Sequence, residues 1–214
     1  MTIFKSIYRK ALVWLTETKA YKWLLLHVIP FVRFSMYYTT IRGWKYHRGY
    51  ARLEPGHIIL TKDNNKLTTL LIGGEFTHAA LCVGINSESK INFEIAEMTH
   101  HNYTKSHFFD LCKEADRVVI LECTDFDSEY VEQMIEKCLT FQDAAYDTEF
   151  SLGVQALYCS ELVYQADFER RLKVDLSDLA GLGREYISPT GLYQAKNVVV
   201  VWDSEGEVPP KGFF

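Results

Sequence analysis

Residues 155–168 read QALYCSELVYQADF, and the role given to their one cysteine, Cys159, governs how the rest of the chain is read. A free cysteine is by default a small buried hydrophobe; the competing roles are metal ligand and nucleophile. Cys159 follows a turn-rich stretch (142–157) and opens an expected helix, with Glu161 in its first turn and Arg170, Arg171 and Lys173 in its last. That is the charge order a helix dipole favours. Backbone N–H groups and the positive end of the dipole stabilise a thiolate there, and can lower a cysteine pKa from ~8.5 to ~3.5–7.5. The thiolate is the attacking species, so this position favours nucleophilic catalysis.

The other four cysteines lack that setting. In DSEYVEQMIEKCLTF (127–141), Val131, Met134, Ile135, Cys138 and Leu139 fall at i, i+3, i+4, i+7 and i+8, the core stripe of a helix that Asp127 or Ser128 can cap. Cys82 and Cys123 lie in the apolar strands THAALCVGI (77–85) and RVVILEC (117–123). Cys112 follows the polar stretch THHNYTKSH (99–107), read as a surface loop. Five cysteines without a CxxC do not build a disulfide framework or a common zinc pattern. No metal and no cofactor is expected, and a reducing compartment follows. GGEFT (73–77) has the spacing of neither a phosphate loop nor a dinucleotide fingerprint.

A cysteine nucleophile needs a base. Of seven histidines, only His78 lies inside an apolar strand beside small residues, in FTHAALCVG, where a strand fixes its direction. The alternative is a satisfied core histidine. A third group should orient the imidazole. The neighbouring strand KINFEIAEM (90–98) offers Glu94 and Glu97, which, three apart, face opposite sides. Glu97 is preferred because it lies where the strand opens into a loop.

Further strands are expected at HIILT (57–61) and NVVVVW (197–202). Strands grouped beside a few helices indicate an α+β fold. With 214 residues, 48% hydrophobic, the chain is long enough for one sizeable core. Two parts are expected: an arm at 1–50 and a catalytic domain at 51–214. The arm carries nine Lys or Arg against one acid, Glu17, a net +8; the remainder carries 14 basic and 27 acidic residues, a net -13. Residues 2–17 read as an amphipathic helix, with a second helical piece reaching about Ile29 before Pro30. A basic, aromatic-rich arm fits a membrane interface, and it fits docking on the acidic body equally well. No nucleic-acid module is recognisable. ALVWL (11–15) is too short for a signal peptide core, and the twelve residues 23–34 are too few to span a bilayer. A cytoplasmic location, peripheral to a membrane if the arm binds one, is the expectation.

The ordered set PGHIILT, FTHAALCVG, FEIAEM, AAYDTEF, YCSELVY and ISPTGL resembles the permuted papain-like cysteine hydrolases, the YiiX/YebB-like relatives of the NlpC cell-wall peptidases, over roughly residues 52–200. The resemblance implies a circularly permuted papain-like (NlpC-type) fold, an antiparallel sheet packed against helices. It implies Cys159 as nucleophile, His78 as base and an acidic orienting residue on the FEIAEM strand, consistent with Glu97. The family often has an acid in PGDI, where this chain has His57. The implied reaction is hydrolysis of an amide (peptide or isopeptide) or ester bond through a thioester acyl-enzyme. The Cys159 backbone N–H is a natural oxyanion donor, worth ~3 kcal/mol in comparable sites. Tyr146 and Tyr158 are the further oxyanion or substrate candidates, and a structural role for Tyr146 is the alternative. The competing functions are a lipid-directed acyltransferase or thioesterase and a weakly catalytic membrane-binding module.

Overall fold

A computed structural model describes residues 18–29, 32, 40–41, 43–64, 74–85, 92–178 and 185–206. The helix expected over 2–17 lies outside the described residues, as do 65–66, residue 73, 90–91 and the tail beyond 206.

Six strands form one antiparallel sheet. Its members are β1 (Ile58–Lys62), β2 (His78–Ile85), β3 (Phe93–Thr99), β4 (Asn102–His107), β5 (Arg117–Cys123) and β10 (Val198–Asp203), in the order β10-β5-β1-β2-β3-β4. Two short pairs, β6 (Ala145–Tyr146) with β7 (Ala156–Leu157) and β8 (Ser177–Asp178) with β9 (Glu185–Tyr186), lie outside it. Side chains alternate across a strand, so HIILT, apolar on both sides, belongs at the centre, covered on both faces. Ile58, Leu60, Ala79, Leu81, Ala96, Met98, Val119 and Leu121 form one core with α4 (Ser128–Leu139) and α5 (Cys159–Ala166). Ile59, Ala80, Cys82, Ile95, Val118 and Ile120 form a second core with Trp202, Phe108, Leu111 and Cys112. The fold is α+β, with helices on both faces of the sheet.

Two elements depart from the expected order. The stretch 99–107 is not a loop: Asn102–His107 is β4, paired to β3 with Glu97 opposite Thr104 and Ile95 opposite Ser106. As the sheet's edge strand it carries polar residues on both sides, so it has no apolar alternation to read. The chain turns into it through Asn102, at φ 73, where asparagine is among the residues that tolerate a left-handed backbone. α3 (Phe108–Glu114) follows directly, burying Phe108, Leu111 and Cys112.

α4 matches its stripe: Tyr130, Met134 and Cys138 are buried, and Asp127 caps it by accepting the Tyr130 N–H at 2.8 Å. Gly56 lets β1 approach this helix. It sits at φ +85, and a Cβ there would lie 2.7 Å from Val131 Cγ1. α5 begins at Cys159 but ends at Ala166, so Arg170, Arg171 and Lys173 lie beyond its last turn. The buried Asp167 carboxylate stops it by accepting the Arg171 N–H at 3.0 Å, the Leu172 N–H at 2.8 Å and the Tyr130 hydroxyl.

The described part of the arm contains two helices, α1 (Lys19–His27) and α2 (Trp44–Tyr50). α2 packs on the second core through Gly49, where a Cβ would meet Trp202 and Phe108 at about 3 Å. α1 touches the body through Leu25, which is buried, and through an ion pair from Lys22 to Glu149. Among the described residues, no helix is long and apolar enough to cross a membrane.

Candidate active site

His78 opens β2, and Ala80, two residues on, pairs with Glu97 of β3. His78 and Glu97 are therefore diagonal neighbours on one face, within reach across paired strands. His78 Nε2 lies 2.6 Å from Glu97 Oε2. Glu94 points the other way and pairs with Lys105 at 2.7 Å. Register thus separates the two glutamates: Glu97 meets the imidazole and Glu94 does not. With Nε2 engaged by Glu97, Nδ1 is the remaining ring nitrogen, and Cys159 lines the same cleft as His78.

Cys159 is the first residue of α5, which packs on β2 and β3. It is held from both sides by the segment ISPTGL (187–192). The Tyr158 hydroxyl accepts the Ile187 N–H at 2.8 Å, and the Ser160 hydroxyl donates to the Ile187 carbonyl at 2.6 Å. The same segment grips the approach to His78. Thr190 Oγ1 accepts the N–H groups of Glu75 at 2.9 Å and Phe76 at 3.0 Å. Ser188 caps α6 (Pro189–Tyr193) by accepting the Gly191 N–H at 2.8 Å. One short segment therefore ties the start of the cysteine helix to the entry of the histidine strand. In the sequence it stands out only as part of a resemblance; its two-sided latch depends on contacts 27–29 and 114–115 residues apart in the chain.

These groups perturb one another. Burial alone would lower the His78 pKa, but the hydrogen bonds and negative charges of Cys159 and Glu97 outweigh it and push it up to about 10. Burial would raise the Cys159 thiol; the imidazolium and the N–H groups of Ala79 and Ser160 overcome that and hold it below its ordinary value of 9.0. Glu97 follows the same pattern: burial opposes ionisation, and the hydrogen bond and charge of His78 more than offset it. The three shifts run in one direction, each toward its charged form: thiolate, imidazolium and carboxylate. The other four cysteines, all free and buried, go the opposite way under burial: Cys82, Cys112 and Cys138 are pushed up to about 12 and Cys123 to about 11.

Cys159, His78, Glu97 and Tyr146 line one cleft of about 750 Å³, together with Thr61 and Leu25. That is within the range of small-molecule and substrate sites. Burial and the charge at Cys159 keep the Tyr146 phenol protonated, so it remains a hydrogen-bond donor. Tyr158 is a correction. The residue before the helix turns inward, its ring is 1% exposed in the core, and its hydroxyl is spent on Ile187, so its side chain does not face the cleft. His57 acts locally, its Nδ1 accepting the Glu54 N–H at 3.1 Å and closing the turn before β1. Ser106, beside Glu97, escapes sequence reasoning because β4 does not read as a strand. Among the described residues, no three His, Cys, Asp or Glu side chains converge where a metal ion could be held.

Comparison with solved structures finds the crystal structure of metalloprotein YiiX from Escherichia coli O157:H7, at 15% identity and a TM-score of 0.58, covering 71% of this chain and 97% of that one. At that identity the likeness concerns the fold. Comparison with curated proteins gives no match. The profile of the permuted papain-like amidase enzymes, YaeF/YiiX, C92 family, matches residues 52–211 and so takes in every strand of the sheet and the whole His78–Glu97–Cys159 cluster. With three quarters of its length inside that match, the chain belongs to the permuted papain-like amidases of the C92 family, a group of the hydrolase class.

Proposed function

We propose that the protein is a cysteine hydrolase that cleaves amide bonds through a Cys159–His78–Glu97 triad. Cys159 Sγ attacks the carbonyl carbon, and the electron pair moves onto oxygen. As the tetrahedral intermediate collapses, the His78 imidazolium gives its proton to the leaving amine and a thioester remains on Cys159. His78, now neutral, takes a proton from water; the hydroxide attacks the thioester, and the acid product leaves with the thiolate restored. Glu97 holds the imidazole by Nε2 and stabilises its charge. The Cys159 N–H and the Tyr146 hydroxyl are the proposed donors to the oxyanion. The observation that carries this reading is the His78–Glu97 contact at the wall of a cleft that Cys159 also lines.

Esters and lipid acyl groups are a second reading, favoured by the apolar side that Leu25, Met98 and Leu111 give the cleft. The YiiX structure is described as that of a metalloprotein; that property is not carried over, because the donor set it would need is missing among the described residues. Five unpaired thiols suit a reducing, cytoplasmic setting.

Turnover of peptide, isopeptide and acyl-ester probes by the wild type and by Cys159→Ala tests the proposal. The expected result is loss of at least about a thousandfold in kcat/KM in the variant, with the preferred probe naming the bond. Retained turnover in Cys159→Ala refutes it.

A further inference from the structure

α1 has two working faces. Leu25 points inward, is 7% exposed and forms part of the cleft wall, while Lys22 reaches Glu149 on the body. Lys19, Ala20, Trp23, Leu24 and His27 fall at i, i+1, i+4, i+5 and i+8, one stripe on the opposite side, and all five are exposed. At its centre Trp23 is 57% exposed and Leu24 40% exposed. His27 stacks on Trp23 with ring centroids 5.2 Å apart and donates from Nδ1 to the Trp23 carbonyl at 3.0 Å, which holds the indole in place on the surface. The loop that Lys22 engages carries two more outward apolar side chains, Leu152 at 41% and Val154 at 61%.

A helix that already packs one face gains nothing in water from a tryptophan and a leucine on the other. Charge selects what covers them. Residues 1–50 carry a net +8 while the rest of the chain carries -13. An aromatic and apolar stripe with a lysine at its end, on a segment of net positive charge, suits an anionic surface that can accept apolar side chains, which describes the headgroup boundary of a lipid bilayer. An acidic protein surface offers the charge, but not the depth for an indole.

We propose that the outer stripe of α1, centred on Trp23 and Leu24 and flanked by Lys19, docks the protein on an anionic lipid surface. Since Leu25 of the same helix lines the cleft, docking sets the catalytic cleft beside the membrane. This inference rests on the surface of α1 and not on the chemistry at Cys159.

The test is co-sedimentation of the full chain with phosphatidylcholine vesicles, with and without about a third phosphatidylserine. The wild type is compared with Trp23→Asp/Leu24→Asp and, as a gentler surface change, with Lys19→Glu. The expected result is binding to the phosphatidylserine vesicles that weakens at least tenfold in the double variant, several-fold in Lys19→Glu, and several-fold on raising salt. Thermal melts and turnover of a soluble probe should match wild type, which separates failure of this docking from failure of the hydrolase reading. If the double variant does not fold, Lys19→Glu and the salt series decide. Equal binding by the variants, or equal binding to both vesicle types, overturns the proposal. So does a dimer of the wild type that Trp23→Asp/Leu24→Asp abolishes, since a second copy would then cover the stripe.

Discussion

Replacing Glu161 by glutamine removes a titrating group from the first turn of the helix that Cys159 opens. Glu161 is fully buried. Its Oε1 accepts the Gly153 N–H at 2.6 Å and the Gln165 amide at 3.3 Å, while Oε2 is buried without a hydrogen-bond partner. Burial, with a contribution from the Asp147 charge, outweighs those donors and raises the carboxyl from its ordinary 4.5 to about 7. The folded protein therefore holds this proton more tightly than the open chain does. The stabilisation is fully present below about pH 4.5 and is lost as pH rises through about 7. Between pH 5 and 8 this one group should cost the wild type about 2.5 kcal/mol of stability. Glutamine keeps the shape and an acceptor for Gly153 but does not titrate. Any fixed cost of its amide is the same at every pH, so the difference between the two proteins isolates the carboxyl. Urea unfolding followed by tryptophan fluorescence at pH 5, 6, 7 and 8 measures it. Glu161→Gln should gain on the wild type by about 2.5 kcal/mol across that range. A difference that stays constant with pH would mean that Glu161 ionises normally and that its burial has been misjudged.

Two further substitutions separate catalysis from scaffold. In Glu97→Gln the imidazole loses its carboxylate, so kcat/KM should fall about 10–100-fold. Glu97 helps to raise the His78 pKa, and activity is lost as the imidazolium deprotonates. The alkaline limb of the pH profile should therefore move to lower pH, whereas a variant that merely unfolded would lose amplitude without moving it. Arg117→Ala acts on stability. The guanidinium, 8% exposed, grips Asp203 at 2.6 and 3.1 Å and also pairs with Glu75, joining β5 to β10 and to the approach to β2. Leaving those carboxylates uncompensated should cost about 3 kcal/mol and lower the melting midpoint by roughly 6–12 °C, read by differential scanning calorimetry.

The legible parts of the fold are those in which one local pattern has one solution. HIILT, THAALCVGI and RVVILEC read as strands because a central strand is apolar on both faces, and α4 reads as a helix because its stripe repeats at helical spacing. β4 is illegible for the converse reason, since an edge strand such as NYTKSH has no face to declare. The geometry at His78 depends on register. Spacing puts Glu94 and Glu97 on opposite sides, but only the pairing of Ala80 with Glu97 decides which side His78 shares. Tyr158 misleads because adjacency to Cys159 in sequence does not fix direction at a helix start. The early end of α5 turns on Asp167, whose partners Tyr130 and Leu172 come from separate parts of the fold. Trp44–Tyr50 shares its composition with the arm, yet Gly49 seats it on Trp202 and Phe108.

The thiolate–imidazolium pair is tested most directly by the pH dependence of alkylation at each of the five thiols, read by peptide mass spectrometry after brief exposure to iodoacetamide. Cys159 should be modified first and already at pH 6, with Cys82, Cys112, Cys123 and Cys138 unlabelled in the folded protein, and His78→Ala should erase that lead by moving the Cys159 titration upward. Uniformly slow labelling of all five, or a Cys159 rate indifferent to His78, would contradict the pairing on which the proposed chemistry stands.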